Sequence, residues 1–202
     1  MKMKKAALIA GILGAVIIGS SITITQQNEY KLIRQFGKVD RVICEPGISF
    51  KIPLIERTQS LPKETLLYDL EASDVITKDK KTMISDSYVL WRITDPLKFA
   101  QTLNSSLENS ESRINTAVYN ATKNVISSLS QDRVITSRDG ELSDMVMEAI
   151  GDNMEQYGIE LIKFETKQLD LPDDNKAAVY ERMISERDNI AATYKAEGDS
   201  EA

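Results

Sequence analysis

The chain has 202 residues, with 25 basic side chains against 31 acidic ones, no histidine and a single cysteine, Cys44. Those counts exclude intrachain disulfides, Cys/His zinc sites and histidine-based triads. Three of the lysines stand in the first five residues, so the remainder is more acidic still and has no basic stripe suited to nucleic acid.

The first element is the uncharged run Ala6–Ile24, AALIAGILGAVIIGSSITI, preceded by MKMKK. As a helix it would reach ~28 Å, about the hydrocarbon thickness of a bilayer. It reads as a retained anchor, because its β-branched residues continue past the 7–15 apolar residues usual for a signal peptide. The competing reading is a cleaved signal near Gly19-Ser20-Ser21, which would leave an exported soluble binding domain. Lys2, Lys4 and Lys5 abut the run more densely than Lys31, Arg34 and Lys38 follow it. That bias places the N-terminus in the cytoplasm and the rest outside the plasma (inner) membrane, crossed once. Ala7, Gly11, Ala15 and Gly19 recur every fourth residue, a small-residue stripe on which two membrane helices approach closely.

Residues 26–95 read as β structure. Glu29–Phe36 and Val39–Cys44 flank Gly37-Lys38 as a hairpin, and Glu45-Pro46-Gly47 is turn chemistry. Cys44, between Ile43 and Glu45, reads as a small packed side chain. Ile48–Ile52 alternates with period two. Its apolar face, Ile48, Phe50 and Ile52, continues through Leu54 and Ile55, and two readings stay open: core, or contact with the membrane surface. Leu66–Ile76 and Thr82–Thr94 read as two longer strands. The second is apolar on both faces around Tyr88–Ile93, which suits a central or helix-covered strand.

The period then changes. Asp95-Pro96 opens a short helix to Leu103. Ile114, Ala117, Val118, Ala121, Val125 and Leu129 mark one helical face, and Val134–Thr136 reads as a short extended piece. Leu142, Met145, Val146, Ala149, Ile150 and Met154 mark a second helix that Gly158 caps. Ile159–Leu169 is strand-like. Pro172 opens a last helix to about Lys195, where Ala177, Tyr180, Ile184, Ala191 and Tyr194 follow a 3-4 rhythm interrupted by Arg187, the start of a coiled-coil assembly face.

Nothing in the sequence has the look of a catalytic or cofactor-binding site, and no cofactor or metal is expected. Ser60-Leu61-Pro62-Lys63 matches a bare S-x-x-K, the one enzymatic alternative, yet Pro62 opposes the helix that would bring Lys63 to the serine.

EYKLIRQFGKV (29–39), EPGISFKIPLIE (45–56), DSYVLWRITDP (86–96) and the tail LPDDNKAAVYERMISERDNIAATYKAEG (171–198) together resemble the SPFH (band 7) family of stomatins, prohibitins and flotillins. The resemblance implies an α+β chain. Its parts would be an anchor (1–25), two small α/β subdomains (26–95 and 96–171) and the start of an assembly helix (172–202) that other members carry further. The tail is most similar to the branch that modulates a membrane-bound AAA protease. That branch implies no enzymatic activity of its own. It implies as partners the lipid bilayer, further copies or an HflK-like sister SPFH protein, and an FtsH-like hexameric protease.

Overall fold

The computed structural model describes residues 19–137, 140–170, 172, 181 and 184–195. Nine strands and four helices lead in order from Ile22 to Asp170. The strands are β1 (Ile22–Thr25), β2 (Glu29–Gln35), β3 (Lys38–Ile43), β4 (Gly47–Phe50), β5 (Glu56–Pro62), β6 (Leu66–Asp69), β7 (Ser73–Ile76) and β8 (Thr82–Ile93). Helices α1 (Pro96–Leu103), α2 (Leu107–Ser128), α3 (Gln131–Thr136) and α4 (Glu141–Ile150) precede a 3-10 segment (Gly151–Tyr157) and β9 (Ile159–Asp170). Residues 184–195 form a further helix, α5.

All the pairings are antiparallel and fall into three sheets: β1 with β4, then β3-β2-β5, then β6 and β7 on one edge of β8 with β9 on the other. Strand β8 is the centre of the largest sheet. Its inward residues Met83, Val89, Trp91 and Ile93 are buried, whereas Ile84, Tyr88 and Leu90 on the other face are half-exposed. Central placement therefore accounts for its two apolar faces, and helices cover only one of them. Lys167 spans that outer face to Asp69 and Asp86, and Arg92 meets Glu160 at 2.8 Å.

The larger of two core clusters joins the two larger sheets to the helices. Leu32 and Leu61 from the smaller sheet meet Val89, Trp91, Phe99, Ile114, Val118, Val146, Ile150 and Phe164. Removing side chains of this size from water contributes ~1.5–3 kcal/mol each. Strand β9, from the C-terminal side of the expected division at 95/96, pairs with β8 from Ile84 to Ile93.

Local chemistry explains where the helices begin. Asp95 accepts hydrogen bonds from the Leu97 and Lys98 amides at 3.0 Å, with Pro96 in the first turn, and α1 ends at Asn104 in the left-handed region. Ser106 caps α2 through the Asn109 amide. The expected apolar stripe of α2 is the face that packs: Ile114, Val118 and Ala121 are buried, and Ala117, Val125 and Leu129 lie against the core.

Four expectations need correcting. The apolar run does not stay helical to Ile24: Gly19 and Ser20 are helical, and Ile22–Thr25 is strand β1. Its alternating β-branched ITIT favours a pleated chain. No helix among the described residues is long and apolar enough to cross a membrane, and residues 1–18 lie outside them. Leu66–Ile76 is two strands rather than one, because Leu70 turns into the core, its amide donating to the Ser87 carbonyl at 3.0 Å. Val134–Thr136 is helical, not extended: Val134 fills a second core cluster with Val75, Met83, Ile126, Leu142 and Leu169. Tertiary packing overrides the β preference of three branched residues there. Finally, the second amphipathic helix ends as α-helix at Ile150, and Gly151 starts the 3-10 segment that carries Met154.

Asp79 ties the β7–β8 hairpin to α3. Its Oδ1 accepts from the Thr77 hydroxyl at 2.6 Å and from the Gln131 amide at 3.1 Å, and Oδ2 pairs with Lys81. The Thr77 bond is the main reason that its carboxyl is held down to about 2. Glu29, bonded first by Lys31, is likewise held at about 2. A carboxyl depressed in the fold contributes stability above its unfolded pKa and loses that contribution as pH falls towards its folded value. We therefore expect wild-type stability to fall from about pH 4.5 to about pH 2. Asp79→Asn, measured by urea unfolding in detergent across that window, should show a shallower fall. An identical slope would show that Asp79 takes no part.

Candidate functional site

The β1–β4 ribbon is turned inside out. Paired residues on antiparallel strands share a face, and the register sets Ile22 against Phe50 and Ile24 against Ile48. Those four side chains are exposed, whereas Thr25 on the opposite face is only 2 % exposed and Thr23 is also buried. A one-residue slip would reverse this, so the register presents the apolar face outward. The face begins one residue after the helical Ser20–Ser21 corner, where the Lys51 amide donates to the Ser21 carbonyl at 2.8 Å.

The chain after β4 carries the face onward. Ile52 and Ile55 are exposed and Leu54 is 100 % exposed. Leu54 holds φ 75°, a conformation unfavourable for leucine, so the surrounding backbone must impose it. The loop is braced from behind by Glu56, itself buried. Its Oε2 accepts the Ile52 amide at 2.8 Å and Arg41 Nη2 at 3.1 Å, and its Oε1 accepts Arg41 Nη1 at 3.2 Å. Arg41 Nη2 also donates to the Phe50 carbonyl at 2.7 Å. The Ile52 amide, then Arg41, hold the Glu56 carboxyl below the ordinary range, so it stays charged and keeps both grips.

A second apolar point stands beside the loop. Phe36, at the β2–β3 turn with φ 50°, is 86 % exposed, and Gly37 follows at φ 86°. Phe36, Gly37, Leu54 and Ile55 line one cleft of ~350 Å³ with Arg34 and Arg57. All five residues expected on this face, Ile48, Phe50, Ile52, Leu54 and Ile55, are exposed among the described residues. Ile22, Ile24 and Phe36 extend the same face and were not legible as part of it. The two isoleucines sat within the apolar run, and Phe36 stood at a strand end beside glycine.

The other expected residues are less gathered. Ala7, Gly11 and Ala15 lie outside the described residues; Gly19 is helical, and a Cβ there would meet nothing within 4 Å. Ala177 and Tyr180 also lie outside them, whereas Ile184, Ala191 and Tyr194 are exposed on α5 together with Ile190. Ser60 and Lys63 are not brought into a working pair. Ser60 stands opposite Lys31 on β2, and Lys63 Nζ reaches the Cys44 carbonyl at 3.4 Å and lies 5.5 Å from the Tyr30 ring centre. Cys44 is exposed rather than packed, because the chain leaves β3 at Ile43. A groove of ~340 Å³ between α2, α4 and the 3-10 segment has a mixed lining that includes Asn120, Asn124, Asn153, Ala121 and Met154, with Arg113 above the Tyr157 ring. The apolar tip is the feature without a role in the fold.

Comparison with known proteins places the chain. The family model described as "SPFH domain / Band 7 family" matches residues 23–200. The chain is 29% identical over 198 residues to Protein HflC of Haemophilus influenzae, an alignment covering 93% of this chain and 67% of that protein. It is 28% identical over 208 residues to Protein HflC of Buchnera aphidicola subsp. Schizaphis graminum, covering 93% and 68%. It is 25% identical over 246 residues to the Escherichia coli strain K12 protein named Modulator of FtsH protease HflC, covering 99% and 74%.

Proposed function

Because the chain belongs to the SPFH domain / Band 7 family, we propose that it is a membrane-anchored oligomeric scaffold that modulates a membrane-bound, FtsH-like AAA protease and organises the membrane around it. The observation that carries this reading is the outward apolar face of β1 and β4 with its tip at Phe36 and Leu54, set directly after the helical Ser20. An anchor in the apolar run that begins at Ala6 delivers that face to the bilayer surface, where apolar side chains leave water without a protein partner.

In this reading the soluble part lies outside the cytoplasm, and Ile48, Phe50, Ile52, Leu54 and Ile55 rest on the lipid. The small-residue stripe Ala7, Gly11, Ala15 and Gly19 and the α5 face Ile184, Ala191 and Tyr194 join copies of this chain or an HflK-like sister. Catalysis belongs to the protease, and this chain controls which substrates reach it. The names of the relatives support the protease as partner. The buried interior supports a rigid spacer, since β8, β9 and α2 share one core with the tip-bearing sheet.

The anchor is tested first. Membranes carrying the full chain are washed at alkaline pH in carbonate and sedimented. The protein should stay in the pellet at its full mass. A supernatant protein shortened near residues 19–21 would instead favour the exported soluble domain.

A further inference from the structure

The cleft at the tip has a charge that the rest of the molecule does not prepare for. The chain carries a net charge of −6, yet the residues lining the cleft include two arginines and no acid. Arg34 on β2 and Arg57 on β5 stand directly opposite each other. Like charges at paired positions repel, and an anion between them would relieve that repulsion. Among the described residues neither arginine has a carboxylate partner. Arg34 Nη2 is held by the Ser105 hydroxyl at 2.8 Å, which steadies the guanidinium, and Arg57 is exposed. Gly37 leaves the wall open, since a Cβ there would meet nothing within 4 Å. Lys38 lies in the adjoining depression, which Arg34 and Gly37 also line.

We propose that this cleft binds the phosphate of an anionic phospholipid in the bilayer that carries the chain, with Arg34 and Arg57 on the phosphate and Phe36 and Leu54 entering the acyl boundary on either side. The inference rests on the anchor reading above. Guanidinium groups match phosphate oxygens in forked geometry, and the flanking apolar pair selects a phosphate that brings hydrocarbon with it. Docking of the tip then depends on lipid charge as well as on hydrophobic area. It would set the soluble part at a fixed height over anionic membrane.

The test uses the full chain in vesicles, with Cys44→Ser and a polarity-sensitive dye on Ile52→Cys, which lies beside the cleft without lining it. One vesicle set is phosphatidylcholine alone and the other contains phosphatidylglycerol. Emission should shift further to the blue with phosphatidylglycerol than with phosphatidylcholine alone. Arg57→Gln should lower the docked-to-free ratio about fivefold, the effect of one basic residue at such a surface. Arg57→Lys, which keeps the charge but loses the fork, should fall between the two, and far-UV circular dichroism should be the same for all three chains. Equal emission in the two lipids, or no effect of Arg57→Gln, overturns the proposal. Reversal of the shift by millimolar inorganic phosphate at constant ionic strength also overturns it, as a site for free phosphate. A carbonate wash of the same vesicles separates the two claims. Release of the protein removes the anchor and the inference with it, whereas retention without lipid dependence defeats the inference alone.

Discussion

Gly158→Ala should destabilise the fold by about 3 kcal/mol or more, a loss of about 6–12 °C in Tm for a chain of this size. Gly158 holds φ 71°, and a Cβ built there stands 2.2 Å from the Asp95 carbonyl oxygen and 3.0 Å from the Phe99 amide nitrogen. Both neighbours are backbone, so no side chain can rotate away. The same residue joins three elements. Its carbonyl accepts the Thr94 and Asp95 amides at 3.0 and 3.2 Å, and its own amide donates to Glu155. Strand β8 ends, α1 begins and β9 starts within that knot, directly above the buried Phe99 and Ile159. Thermal melting of the detergent-solubilised protein reads the effect. Gly37→Ala is the control: its φ is also positive, but its Cβ would meet nothing, so only the conformational cost of about 1 kcal/mol should appear. Equal losses for the two variants would mean that the Asp95 contact is not the cause.

Removing residues 172–202 should abolish higher oligomers and leave residues 26–170 folded. Every described side chain of α5 is exposed, including Ile184, Ile190 and Tyr194, so the shared core is complete without it. An isolated helix of this length is marginal in water and needs a partner surface. Two heptads interrupted by Arg187 bind weakly alone, and confinement of the anchors to one plane raises their effective concentration. The full chain in detergent should therefore sediment as an oligomer, and a chain starting at residue 26 should be mostly monomeric. A chain ending at Leu171 should be monomeric, with a circular dichroism spectrum that loses only the α5 contribution. If that shortened chain keeps its oligomers, the stripe Ala7, Gly11, Ala15 and Gly19 is the assembly element instead of α5.

Much of the fold was legible because burial and period agree. The 3.6-residue stripe of α2 packs as read, Asp95-Pro96 begins α1, and the alternation around Val89 and Trp91 marks the central strand. Strand β5 was not legible. Its sequence, ERTQSLP, buries a glutamate at one end and Leu61 near the other, with polar residues between. The reason lies in tertiary structure, since Glu56 is inside to grip Arg41 and the Ile52 amide. The pairing of β9 with β8, its neighbour in space but far away in sequence, was not legible either. The apolar tip was half legible. Ile48, Phe50 and Ile52 showed their shared face, but only the β1–β4 register decides that it points outward and adds Ile22 and Ile24. The Arg34–Arg57 pair had no signal at all, because it depends on the register between β2 and β5.

In the proposed function this chain gates a membrane protease. Its most direct test reconstitutes an FtsH-like protease in vesicles with and without the full chain and follows degradation of one membrane substrate and one soluble substrate. With the chain present, degradation of the membrane substrate should slow several-fold while the soluble substrate is cut at an unchanged rate. Unchanged rates for both substrates would contradict the account.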